Sequence, residues 1–108
     1  MAKGEFLGEF EIYVMLALAH LGEGAYGVTI RQEIERRTGR EVTIGAVYAT
    51  LARLEEKGFV RHELSAPLPV PGGRARKHCS LTATGERALA HAASMLTRMM
   101  QGWRLESP

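Results

Sequence analysis

With 108 residues, 45% of them hydrophobic and 24% charged, the chain has the size and composition of one packed domain; disordered, disulfide-scaffold and collagen-like chains are excluded. Its longest apolar stretch, Ile12 to Ala19, is far short of the roughly 20 residues that cross a bilayer. The formal charge of +2 is too small to name a partner, so its distribution matters more than its total.

The N-terminal residues carry acids where a secretory signal would place its apolar run, so a cytoplasmic location is expected. A single cysteine, Cys79, can build neither an intrachain disulfide nor a multi-cysteine metal site, which fits a reducing compartment. Residues 1 to 40 balance Lys3, Arg31, Arg36, Arg37 and Arg40 against Glu5, Glu9, Glu11, Glu23, Glu33 and Glu35. Residues 65 to 78 instead hold Arg74, Arg76 and Lys77 with no acid, and His78 directly after them, a local basic patch suited to a polyanion.

In chain order, Phe6 to Leu21 is apolar on nearly every face and reads as a largely buried helix stopped by Gly22 and Gly24. Tyr26, Ile30 and Ile34 then recur four apart, with charges turned outward, giving a short amphipathic helix that ends at Gly39. Thr43 is the expected N-cap of a third helix from about Ile44 to Lys57, with Val47, Leu51 and Leu54 as its apolar stripe and Gly58 beyond it. At Val60 the period changes from 3.6 to 2: Val60, His62 and Leu64 should face one way, Arg61 and Glu63 the other. Pro67, Pro69, Pro71, Gly72 and Gly73 sustain neither helix nor central strand, and alternation resumes at Cys79 and Leu81, which predicts a two-stranded hairpin with a long basic tip. Thr82 can cap a last helix reaching about Trp103, with Leu89, Ala92, Leu96, Met99 and Trp103 at spacings of 3, 4, 3 and 4.

Three helices closed by a hairpin and followed by a long helix describe a mainly α fold with a small β-hairpin: a winged helix-turn-helix plus a C-terminal dimerisation helix. Residues 1–81 would form the winged domain and 82–108 the dimerisation helix of the same compact unit. The outward face of the third helix carries Gly45, Ala49 and Ala52, small residues that let a helix backbone approach groove walls, flanked by Tyr48 and Arg53, which can reach phosphates or base edges. A good helix former such as Ala would also be found on an ordinary surface.

Six segments in this order, Leu7-Gly8-Glu9-Phe10-Glu11, Ala25-Tyr26-Gly27-Val28, Ile44-Gly45-Ala46-Val47-Tyr48, Leu51-Ala52-Arg53-Leu54-Glu55-Glu56-Lys57-Gly58, Gly72-Gly73-Arg74 and Leu81-Thr82-Ala83-Thr84-Gly85, resemble the PadR family of bacterial transcriptional regulators. The resemblance implies a homodimeric winged-helix regulator, usually a repressor, that leaves a pseudo-palindromic DNA operator when a small hydrophobic or aromatic effector binds. It places Gly45 and Tyr48 on the recognition helix and Arg74, Arg76 and Lys77 on the wing, with Tyr26 opening the supporting helix. The candidate DNA contacts are thus Tyr26, Thr43, Gly45, Tyr48, Ala49, Arg53, Arg74, Arg76 and Lys77; the candidate dimer seam is Leu89, Ala92, Leu96, Met99 and Trp103. His78-Cys79-Ser80 stands where the family often has aromatic residues, and the short stretch after the last helix implies a compact member without a separate effector domain.

An enzyme is not expected. The chain has no Asp, no nucleophile elbow and no phosphate-cradling glycine motif, and His20, His62, His78 and His91 lack metal-ligand spacing; no cofactor is implied. His78 and Cys79 are adjacent on a strand and point to opposite faces, so Cys79 reads as a small core residue. The rival class is a winged-helix adaptor that binds a protein partner without DNA.

Overall fold

The structure is a computed structural model that describes residues 6–64 and 77–104. Its elements are α1 (Glu9–Leu21), a 3-10 turn (Gly22–Gly24), α2 (Gly27–Thr38), α3 (Ile44–Glu56), β1 (Val60–Leu64), β2 (Lys77–Leu81) and α4 (Ala83–Met100). The two strands form an antiparallel hairpin in which Val60 faces Leu81 and His62 faces Cys79.

The core lies where α1, α2 and α3 meet: Val14, Met15 and Leu18 from α1, Ile30 and Ile34 from α2, and Val47, Leu51 and Leu54 from α3 are all buried. Phe59, Val60, Cys79 and Leu89 extend it beneath the hairpin and the first turns of α4. The hairpin is fastened to the connection between α1 and α2, because the Cys79 amide donates to the Ala25 carbonyl at 2.8 Å and His78 Nδ1 lies 3.0 Å from the Glu23 carbonyl.

Three expectations need correction. The first helix begins at Glu9, not Phe6: Glu11 Oε1 accepts the Gly8 amide at 2.8 Å and starts the helix there. The last helix stops at Met100 and not near Trp103, since Gly102 adopts φ +82° and the Trp103 amide turns back to the Met100 carbonyl at 3.0 Å. On β1 only Val60 is buried; His62 and Leu64 are exposed although Cys79, opposite His62, is buried, so β2 and not β1 carries the packing at this level, and His62 turns to Glu55, at 2.6 Å.

Candidate nucleic-acid interface

Thr43 caps α3 as its sequence position suggests, accepting the Ala46 amide at 3.1 Å. The helix rests on Val47, Thr50, Leu51 and Leu54, which leaves Gly45, Tyr48, Ala49, Ala52 and Arg53 exposed. Gly45 has a negative φ, and a Cβ there would meet no heavy atom within 4 Å. Neither the backbone nor internal packing asks for glycine at this position; open space lies in front of it.

Tyr48 is 48% exposed and rests at its other side on the beginning of α2, where a Cβ on Gly27 would lie 2.6 Å from the tyrosine hydroxyl. Tyr26 is the N-cap residue of α2 and lies beside His78, with ring centroids 6.1 Å apart, so it joins α2 to the second strand of the hairpin. Arg53 is exposed, but its guanidinium folds along its own helix and donates to Thr50 Oγ1 at 3.0 Å. Arg74 and Arg76 lie outside the described residues, while Lys77 opens β2.

The expected outward turn of all the α2 charges fails at Glu33, which is buried because two exposed arginines of its own helix cover it. Arg36 and Arg37 both bond Glu33, and these hydrogen bonds, Arg37's first, hold the Glu33 carboxyl below its ordinary value against the opposing effect of burial. Arg31 pairs with Glu35 at 3.2 Å, and Arg40 with Glu9 at 3.1 Å. Arg31, Arg36, Arg37 and Arg40 are thus each held by a carboxylate, whereas the exposed Arg53 of α3 bonds the Thr50 hydroxyl.

Along the expected dimer seam, Leu89 is turned into the chain's own core and is only 9% exposed, which leaves little of it for a second copy. Ala92 is half-buried, while Leu96, Met99, Met100 and Trp103 are open to solvent, Met99 at 82%. A groove of about 940 Å³ separates the hairpin base from α4, with Leu18, Leu81, Leu89 and Ala93 among its apolar lining and Glu23 and Arg61 at its polar parts. Among the described residues, no helix is long and apolar enough to cross a membrane and no three metal-ligating side chains are grouped.

This arrangement of three helices, hairpin and long helix is shared with known proteins. The model of the transcriptional regulator PadR-like family matches residues 15–91. The chain belongs to that family. A PadR-like transcription factor from Bacteroides fragilis has a similar structure, with TM-score 0.70, 27% identity, and 83% of this chain and 82% of that one covered. A PadR family regulator from Eggerthella lenta matches at TM-score 0.66 and 27% identity over 82% of this chain and 75% of that one. The protein hsRosR, in the hsRosR-S1 complex, matches at TM-score 0.68 and 26% identity over 93% of this chain and 82% of that one. No curated protein matches the sequence. As a PadR-like chain it is a transcriptional regulator with a winged-helix fold.

Two features of the site were invisible to sequence reasoning. Glu11 and Lys57 form a partly buried ion pair, 46 positions apart in the chain. Tyr48 and Gly27 touch across two helices, and no periodicity within either helix reports that contact.

Proposed function

We propose that this PadR-like regulator binds an operator in double-stranded DNA as a homodimer, with α3 in the major groove, and that it represses transcription until a small hydrophobic or aromatic effector releases it. The observation that carries the reading is the outward face of α3, where Gly45 fronts open space and Ala49 and Ala52 add only methyl groups. A helix so bare lets its backbone approach the groove, and Tyr48 and Arg53 at its flanks supply the contacts. Thr43 and Tyr26 are the N-cap residues of α3 and α2, positions from which helix N-termini can meet phosphates.

Arg74, Arg76 and Lys77 would follow the phosphate backbone or minor groove beside the hairpin. Residues 1–81 then form the DNA-binding part and 82–108 the dimerisation helix of one compact unit, as the burial of Leu89 supports. Ala92, Leu96, Met99 and Trp103 continue the seam that a second copy would cover. The groove between hairpin and α4 has room for an effector, whose binding there would bear on the wing.

The test is selection of bound fragments from a random duplex library by the purified protein. The reading expects a pseudo-palindrome with half-sites about 34 Å apart. Recovery of unrelated fragments would favour the protein-adaptor class.

A further inference from the structure

Gly27 is the first residue of α2 and is buried. Its φ is not positive, so its backbone conformation is open to alanine, which is also the better helix former by about 1 kcal/mol within a helix. What alanine meets there is one side chain: a Cβ at 27 would lie 2.6 Å from both Cζ and Oη of Tyr48 and 2.7 Å from its Cε1. Such distances are well inside van der Waals contact, so the ring and a methyl group cannot share the space. The three atoms belong to the far end of a side chain that is otherwise half exposed, so the ring would move and the helices would stay.

We propose that Gly27 is a positioning residue for Tyr48: the missing Cβ lets the tyrosine lie against the start of α2 and so fixes the direction in which α3 presents its phenol. The proposal rests on the reading of α3 as the DNA-contacting helix, and adds that the choice of operator is set partly by a residue that touches no DNA. Gly27 and Gly45 then differ in kind, since one makes room for a side chain of this protein and the other faces outward.

The experiment is a cycle of Gly27→Ala, Tyr48→Ala and the double variant, with affinity measured for a duplex selected by the unaltered protein and for a scrambled duplex of equal length. Gly27→Ala should keep its fold by circular dichroism and lose at least about tenfold in affinity for the selected duplex, with little change for the scrambled one. The double variant should bind no worse than Tyr48→Ala, because the lost contact is the same. In a tyrosine-labelled sample, the ring signal of Tyr48, one of three tyrosines, should shift in Gly27→Ala.

Unaltered affinity in Gly27→Ala beside a loss in Tyr48→Ala, or fully additive losses, would overturn the positioning role. Unaltered affinity in Tyr48→Ala would instead remove the DNA-contact reading itself, and with it the proposal. Should Gly27→Ala prevent folding, the double variant regains the fold if the ring is the obstacle; continued unfolding would mean that backbone is, against the proposal.

Discussion

The Glu11 carboxylate lies 2.8 Å from the Lys57 ammonium, joining the first turn of α1 to the end of α3 across the buried side of the helix-turn-helix. Glu11 also accepts the Gly8 amide, so one carboxylate starts α1 and ties the end of α3 to it. Burial works to raise its pKa, but the hydrogen bonds from Lys57 and Gly8 and the charges of Lys57 and Arg53 outweigh burial and keep it below the ordinary value. The stability it supplies is therefore present above the usual carboxylate range and fades as the pH falls through the depressed folded-state value. Glu11→Gln should cost about 1–3 kcal/mol at neutral pH. Urea unfolding should show that deficit narrowing toward pH 3; a deficit constant with pH would contradict the ionic role.

Much of the fold was legible because its signals are local. Thr43 before an apolar 3.6-residue stripe announced α3 and its cap, and the prolines and glycines between Leu64 and Lys77 separated the strands. Small residues opposite Val47, Leu51 and Leu54 announced the open face as well. The reach of each helix was less legible, because its ends depend on single interactions such as Glu11 with Gly8 or the left-handed turn at Gly102. Leu89 shows the limit of a stripe: periodicity says that Leu89 and Leu96 share a face, but not that the body of the domain ends between them.

Gly85 should not tolerate a side chain. Its Cβ would fall 2.0 Å from the Phe59 carbonyl oxygen, which itself accepts the Thr82 amide at 3.0 Å. The first turn of α4 is thus pressed on backbone that cannot yield as a side chain would. Gly85→Ala should destabilise by about 3 kcal/mol or more in chemical denaturation; a loss below 1 kcal/mol would contradict this packing.

The exposed end of α4 should hold two copies together. Leu96 and Trp103 are 50% and 62% exposed, and a second copy is the partner the proposed function requires. Sedimentation at micromolar concentration should give a dimer, and Leu96→Glu a monomer that keeps its helical content. A dimer unaffected by that charge would place the interface elsewhere.

The wing should contribute affinity more than choice. Replacing Arg74, Arg76 and Lys77 by alanine should flatten the dependence of log affinity on log salt by about 0.9 per lost phosphate contact, and should weaken selected and scrambled duplexes alike. An unchanged slope would remove the wing from the interface.

The central claim is that α3 reads DNA sequence, and the most direct measurement compares unaltered protein with Tyr48→Ala on the selected and scrambled duplexes at one salt concentration. The account predicts that the unaltered protein prefers the selected duplex strongly, and that Tyr48→Ala gives up about 1–3 kcal/mol of that preference while its binding to scrambled DNA persists. Equal affinity of the unaltered protein for both duplexes, or a preference that Tyr48→Ala leaves intact, would contradict it.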